Sequence, residues 1–218
     1  MTSSPRTRPA AKAGTNGAVS TLTDDDLSSN AQRERRKRIL DATLALASKG
    51  GYEAVQMRAV AERADVAVGT LYRYFPSKVH LLVSALAREF EKIDARRRMP
   101  PGESPIERMH LILGQITRAM QRDPLLTEAM TRAFMFADAS AAAEVDQVGR
   151  LMDSLFARAM SDGVPSEEQL QIARVVSDVW LSNLVAWLTR RSSATDVAKR
   201  LELTVELLLG GYKDQAGS

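Results

Sequence analysis

The stretch QMRAVAERADVAVGTLYRYFPSK, residues 56–78, decides the fold. Its apolar spacing predicts two short helices, over residues 57–64 and 68–74, and Pro76 ends the second one. Residues 65–66 form the tight turn between them. This arrangement is a helix-turn-helix, whose second helix fits the major groove of DNA, about 12 Å wide.

The outer side of the second helix predicts the contacts with DNA bases. Leu71 can turn inward, which leaves four neighbours that can face outward: Thr70, Tyr72, Arg73 and Tyr74. Arginine and threonine side chains hydrogen-bond to base edges, and tyrosine binds a phosphate or packs on a thymine methyl group. An ordinary helical hairpin with aromatic core residues is the alternative interpretation.

Positive charge around this unit indicates a polyanionic partner. Lys78 begins the next helix, where its ammonium group and the free backbone N–H groups can bind a phosphate oxygen. The basic run RERRKR, residues 33–38, lies near the start of the first helix. Residues 1–98 carry 18 Lys/Arg and 11 Asp/Glu, a net charge of +7, whereas residues 99–218 carry 12 and 16, a net charge of −4. A solvated basic surface with no partner is enough to explain the imbalance by itself. Beside a helix-turn-helix, however, the charge imbalance favours DNA as the partner.

The whole chain is predicted to be all-α. Residues 1–29 are small and polar and predict a disordered tail. Residues 30–77 are predicted to form a homeodomain-like three-helix DNA-binding domain, and residues 78–218 are predicted to form a second domain, a larger helical bundle. The connecting helix between them spans residues 78–98, and PPG at residues 100–102 ends it. Gly50-Gly51 ends the first helix, and Ser166 and Thr195 are the predicted caps of the last two. The helices outside residues 50–102 are predicted over these ranges: 30–49, 105–121, 124–138, 142–161, 167–191 and 196–209.

Composition excludes several kinds of chemistry. The chain has no cysteine, so it has no disulfide and no thiolate nucleophile, which suits a reducing cytoplasm. Its two histidines, His80 and His110, are too far apart in sequence to form a short-range metal pair. No run approaches the roughly 20 apolar residues of a membrane span. We expect a cytoplasmic protein that is no enzyme and has no cofactor, no metal and no membrane partner.

Large apolar side chains concentrate in the C-terminal half, including both tryptophans. Core packing explains any one of them, but methionine also adapts to bulky apolar ligands. Asn183 is a polar exception that needs a hydrogen-bond partner, either a backbone group or a ligand carbonyl. The candidate ligand-binding residues are Met120, Met130, Phe134, Met152, Leu155, Trp180, Asn183, Leu184 and Trp187.

Residues 50–82, and above all the motif GTLYRYFPSK at residues 69–78, resemble the N-terminal domain of the TetR family of bacterial transcriptional repressors. The resemblance implies that Gln56 and Arg58 contact DNA from the second helix and that Lys78 binds a phosphate. It also implies a recognition helix whose contacts come from Val68, Gly69, Thr70, Tyr72, Arg73 and Tyr74.

Three positions depart from the family pattern. Gln56 stands where the family usually has Thr, Asp65 where it has Gly, and Ala67 where a Ser often caps the recognition helix. A missing cap costs about 1 kcal/mol of local stability. We expect a softened recognition helix rather than a loss of DNA binding.

The resemblance further implies a homodimer through the last two helices. Seven apolar residues there exceed what one subunit needs to cover its own face: Val176, Val179, Leu188, Leu201, Val205, Leu208 and Leu209. A two-fold dimer sets two recognition helices about 34–36 Å apart on an inverted-repeat operator, which is one turn of DNA. A ligand in the bundle would move helix 78–98 and release the DNA.

Over residues 31–209 the chain most resembles the family members that repress sterol-catabolism genes. That closer resemblance implies a sterol-derived acyl-CoA, a CoA thioester of a sterol catabolite, as the small-molecule inducer. Three alternatives stay open: a different regulon with a fatty acyl-CoA or drug-like inducer, activation instead of repression, and a helical dimer that binds a partner without any ligand pocket.

Overall fold

The computed structural model of the chain describes residues 30–96 and 103–211. The predicted tail (1–29) and the predicted PPG boundary (100–102) lie outside the described residues. The described part contains no strand, and the all-α prediction is confirmed. None of its helices is long and apolar enough to cross a membrane. The helices are α1 (Asn30–Ala54), α2 (Met57–Arg63), α3 (Val68–Tyr74), α4 (Lys78–Arg96), α5 (Pro105–Arg122), α6 (Pro124–Met135), α7 (Ala142–Ala159), α8 (Glu167–Leu188) and α9 (Ala194–Leu209), with a 3-10 helix at Ala139–Ala141.

Helices α1, α2 and α3 pack as one small unit around a shared apolar core. α2 contacts both α1 and α3. Ala61 of α2 is small and buried, which suits a close crossing of helices. Leu71 of α3 is fully buried, as predicted. The predicted glycine end of α1 is a kink: Gly51 has φ +66°, a left-handed value that favours glycine, and one more turn follows to Ala54.

The turn between α2 and α3 is tight because one residue adopts a left-handed conformation. Asp65 has φ +52°, and the N–H of Val66 donates to the carbonyl of Ala61 at 3.0 Å. Only glycine adopts this conformation without steric cost, although aspartate tolerates it better than most residues. Asp65 therefore adopts the left-handed conformation for which the family usually has glycine, at some steric cost.

Helix α4 links the small unit to the C-terminal bundle. It packs against α1 on one side and against α6 and α7 on the other, and its central residues are buried continuously from His80 to Ala87. α8 packs on α7, and α9 packs on both α8 and α5. The core therefore runs from the first three helices through α4 into the bundle.

Several predicted helix ends were wrong: α6 ends at Met135 rather than at residue 138, where Asp138 caps the 3-10 helix, and the ends of α8 and α9 also differ. Ser193, not Thr195, caps α9: its hydroxyl accepts from the N–H of Asp196 at 3.1 Å, and the Asp196 carboxylate accepts from the N–H of Ser193 at 3.3 Å. α8 ends at Leu188 rather than at residue 191, and Arg190 beyond it has a left-handed φ of +58°. The predicted cap at Ser166 is confirmed as a full capping box with Gln169.

Candidate functional site

One side of α3 faces solvent and carries most of the predicted DNA contacts. Tyr72 is 48% exposed, Val68 is 37% exposed, and Gly69 and Arg73 are exposed, while Thr70 is half-buried. Ala67 precedes the helix without any side-chain cap, as the sequence predicted. An exposed helix face with an arginine, a tyrosine and no bulky side chain at its centre suits the major groove.

The prediction that Tyr74 faces outward is wrong. Tyr74 is 1% exposed and its ring lies 6.4 Å from that of Phe75, so it belongs to the core. The physical reason is helical spacing: Tyr74 follows the buried Leu71 by three residues and shares its face. The DNA-facing set on α3 therefore ends at Arg73.

Further basic and polar groups border this face. Gln56 and Arg58 are exposed at the start of α2, and Gln56 makes no side-chain cap. Arg36, from the basic run of α1, lies over the ring of Phe75 at 5.6 Å. Arg38 of the same run donates to the carbonyl of Ala64 at 3.3 Å. The basic run thus lies against the end of α3 and widens the positive surface.

Lys78, the predicted phosphate ligand, is half-buried at the start of α4. Its ammonium nitrogen lies 3.9 Å from the centre of the Tyr52 ring and 3.5 Å from the carbonyl of the same residue. It also lies 3.8 Å from the Glu53 carboxylate. These contacts hold the lysine against the end of α1, four residues after α3 ends.

An almost closed apolar cavity lies in the bundle between α4 and α8. Its volume is about 20 Å³, and its walls come from α4, α5, α6, α7 and α8. The Trp180 indole packs edge-on to the Phe90 ring with centres 6.2 Å apart, and its N–H donates to the hydroxyl of Thr117 at 3.2 Å. Six of the nine predicted ligand residues line this cavity: Met120, Met130, Phe134, Met152, Trp180 and Leu184.

Three predicted ligand residues lie away from the apolar cavity. Leu155 is buried elsewhere in the core. The Asn183 amide nitrogen donates to the carbonyl of Val179 at 2.8 Å, whereas its buried side-chain oxygen has no hydrogen-bond partner among the described residues. Trp187 lies with Arg190 and Arg191 at the turn between α8 and α9. Helical position explains this separation, because residues on neighbouring faces of α7 and α8 pack against different elements.

An open groove leads toward the apolar cavity and carries positive charge. We call it the entry groove; it holds about 330 Å³ between α4, α5 and α6. Met120 and Met130 line both the entry groove and the apolar cavity, so their side chains form the wall between them. The cations of the entry groove are Lys92, Arg96 and Arg122, and its acidic residues are Glu89 and Asp123.

The sequence prediction missed the groove cations and several cavity residues. Lys92 and Arg96 are spaced by one helical turn, and this spacing was the available signal for a basic rim on α4. Phe90 of α4 is one of the cavity residues that the sequence prediction missed. The other cavity residues that were missed are Leu86, Thr131, Val148 and Leu181.

Another cavity of about 290 Å³ opens between α5 and α9. It includes Leu113 and Leu201, but also Arg118 and the carboxylates of Glu202 and Glu206. Its acidic wall would repel the phosphates of a CoA thioester. The apolar cavity with its entry groove is therefore the better candidate for such a ligand.

The predicted surplus of apolar residues on the last two helices is mostly used within the subunit. Val176, Leu201, Val205 and Leu209 are buried in the chain's own core, because α9 packs on both α8 and α5. Val179, Leu188 and Leu208 are half-buried. The large apolar side chains that these two helices leave exposed are Val175, Leu203 and Leu207.

Comparisons with known proteins agree with this architecture. Residues 39–85 match the family described as bacterial regulatory proteins, tetR family, and residues 102–208 match the tetracyclin repressor-like C-terminal domain. The HTH-type transcriptional repressor KstR of Rhodococcus jostii is 82% identical over 210 residues, which cover 96% of this chain and 97% of that protein. The chain belongs to the TetR family. The prediction of a TetR-type transcriptional regulator is thereby confirmed.

Solved structures extend the comparison to the fold. A TetR transcriptional regulator from Rhodococcus sp. RHA1 is 33% identical, with a TM-score of 0.78 over 85% of this chain and all of that one. FadR of Thermus thermophilus, a TetR-family repressor solved in complex with lauroyl-CoA, is 22% identical, with a TM-score of 0.64 over 83% of this chain and 96% of that one. The second likeness is one of fold alone.

Proposed function

We propose that this TetR-family protein represses sterol-catabolism genes in the cytoplasm. It binds an inverted-repeat operator as a homodimer, and a CoA thioester of a sterol catabolite releases it. The 82% identity to a transcriptional repressor supports repression. The closer sequence resemblance supports the sterol regulon, and the lauroyl-CoA complex supports the ability of the fold to hold a CoA thioester.

DNA binding uses the exposed face of α3 and its basic surroundings. Arg73 reads a base edge, Tyr72 packs on a thymine methyl group or binds a phosphate, and Gly69 allows the helix to approach closely. Lys78, Gln56 and the basic run on α1 contact the backbone and hold the register.

A single observation carries the link between ligand and DNA: α4 belongs to both sites. Lys78 at its start follows the recognition helix by four residues, and Leu86 and Phe90 near its middle line the apolar cavity. A displacement of the cavity wall therefore moves the start of the same helix.

The size of the apolar cavity makes such a displacement necessary. Ligand pockets typically hold about 300–1,000 Å³, whereas this cavity holds about 20 Å³. A rigid steroid enters only if Met120 and Met130 swing aside and α4 and α6 separate, which methionine flexibility permits. To move the protein from 1:99 to 99:1 in favour of the released state, the ligand must prefer that state by about 5.5 kcal/mol.

The entry groove suits the CoA part of the inducer. Lys92, Arg96 and Arg122 offer charge-assisted hydrogen bonds to phosphate oxygens. Lys92 is paired with Glu89 at 2.8 Å, so the phosphate has to compete for it. A fatty acyl-CoA would use the same cations, and it is the alternative inducer; the shape of the apolar part separates the two.

The DNA half of the proposal is tested by sequencing the genomic fragments that the full chain retains. We expect inverted repeats upstream of sterol-degradation genes, and a loss of this enrichment in Arg73→Ala. Arg150→Ala, which removes an exposed arginine on α7, is the matched control and should keep it. Retention of unrelated sequences by the wild type would contradict the sterol assignment.

The inducer half is tested by the fluorescence of Trp180. In Trp187→Phe, Trp180 is the remaining tryptophan of the chain. We expect a steroid-acid CoA thioester to change its emission, and lauroyl-CoA and free CoA to be much weaker. In the Trp187→Phe background, Lys92→Met with Arg122→Met should weaken binding of the thioester at least tenfold. The same double change should weaken binding of the free steroid acid little, because the acid lacks the phosphates. Equal responses to lauroyl-CoA and the steroid thioester would favour the fatty acyl alternative.

A further inference from the structure

A cluster of four side chains joins α6 to the start of α4. The two carboxylate oxygens of Glu53 face different cations: one lies 3.2 Å from a guanidinium nitrogen of Arg132, and the other lies 3.8 Å from the ammonium nitrogen of Lys78. The guanidinium carbon of Arg132 also lies 4.3 Å from the centre of the Tyr52 ring, and Lys78 lies 3.9 Å from the same centre. Arg132 and Lys78 therefore share both an anion and an aromatic ring.

The distances indicate which cation holds the carboxylate. Arg132 lies within hydrogen-bonding distance of Glu53, whereas Lys78 lies beyond it. Glu53 is mostly exposed, so its side chain can turn toward either cation. Without Arg132, the carboxylate has one close cation left in this cluster, and it would neutralise the charge of Lys78.

We propose that Arg132 is a positioning residue that keeps Lys78 available to DNA by binding Glu53. The inference rests on the proposed phosphate contact of Lys78. A carboxylate paired to that lysine would compete with the phosphate and repel it. Arg132 removes this competition without touching DNA itself.

The position of Arg132 on α6 ties this arrangement to the ligand site. Its neighbour Thr131 and, two residues on, Phe134 line the apolar cavity, while Arg132 points to the opposite face and contacts α1. Widening of the cavity shifts α6 relative to α1. Glu53 then loses its nearer cation and turns to Lys78.

A double-mutant cycle on operator affinity, without any inducer, tests the inference. The four proteins are wild type, Arg132→Met, Glu53→Gln and the double variant, with DNA selected by the wild type as probe. Arg132→Met should weaken binding about three- to tenfold in the wild-type background, the range of an exposed ion pair with a cation–π contact. In the Glu53→Gln background it should change binding less than twofold, because the carboxylate 3.8 Å from Lys78 is gone and Glu128, the other carboxylate beside Arg132, makes no ion pair with Lys78.

Two controls make the outcomes distinct. Arg150→Met removes a positive charge from an exposed site on α7 and should leave the affinity within twofold. Lys78→Met should weaken binding and lower the slope of log affinity against log salt by about 1. If Lys78→Met keeps the wild-type affinity and slope, the phosphate contact itself is wrong. If Lys78→Met behaves as expected but Arg132→Met weakens binding equally in both backgrounds, or in neither, the positioning role is wrong.

Discussion

Gly69 is the residue whose role is best separated from folding. A Cβ atom added there would have no neighbour within 4 Å, so nothing inside the protein requires glycine at this exposed point of α3. Glycine in the middle of a helix is destabilising by about 0.5–1 kcal/mol relative to alanine. A requirement for it therefore has to come from outside the chain, and close approach to DNA supplies one.

We expect Gly69→Ala to raise the free energy of unfolding by no more than about 0.5–1 kcal/mol, because Gly69 is the second residue of α3 and not in its middle, and to weaken operator binding at least tenfold. Gly149→Ala is the matched control, because Gly149 lies within α7 and is equally free of close neighbours. It should give a similar gain in stability with unchanged DNA affinity. Urea unfolding and fluorescence anisotropy measure the two quantities, and unchanged operator affinity in Gly69→Ala would remove the argument for close approach.

At the level of elements, apolar spacing predicted the helices, and local hydrogen bonds decided where they end. The spacing correctly predicted α3 and the capping box of α8, but two hydroxyls near the start of α9 look alike in sequence, and the cap was assigned to Thr195 instead of Ser193. Tyr74 was misplaced because its phenol suits either DNA or the core. The apolar cavity could be predicted only as a set of large side chains, because which faces of five helices meet depends on packing between distant segments.

The cap of α9 gives an element-level prediction. Hydrogen bonds from the hydroxyl and backbone of Ser193 lower the pKa of Asp196 below its usual 3.8. A depressed pKa means that this carboxylate adds stability above its ordinary pKa and loses it as the pH falls through the lower, folded value. Ser193→Ala should lower the melting temperature at pH 7 by roughly 2–4 °C.

The difference between wild type and Ser193→Ala should shrink in melts between pH 4 and pH 2. Thr195→Ala is the matched control, since Thr195 lies one residue inside α9 and is not its cap. If Thr195→Ala proves the more damaging change, the assignment of the cap to Ser193 fails.

At the level of the whole molecule, we propose that the exposed apolar side chains of α8 and α9 form the dimer interface. Leu207 is 75% exposed, Leu203 lies one turn before it on α9, and Val175 is exposed on α8. Apolar side chains of this size gain about 1.5–3 kcal/mol each on full burial. In the proposed dimer a second copy of the chain would cover them, and the two recognition helices would then meet successive turns of one operator.

We expect Leu207→Glu to convert the dimer to monomer in sedimentation analysis and to weaken operator binding more than tenfold, because one half-site alone remains per molecule. Val164→Glu is the control, since Val164 is exposed outside these two helices, before α8 begins. A dimer that survives Leu207→Glu with Leu203→Glu would place the interface elsewhere.

The most direct test of the account is release of the operator by the inducer. Fluorescence anisotropy of a labelled operator duplex with the full chain is measured during titration with a steroid-acid CoA thioester, lauroyl-CoA and free CoA. We predict that the steroid thioester releases the DNA, and that neither of the other two does so at the same concentration. Operator that stays bound at saturating steroid thioester, with Trp180 of the Trp187→Phe variant reporting that the ligand is in place, would contradict the coupling through α4.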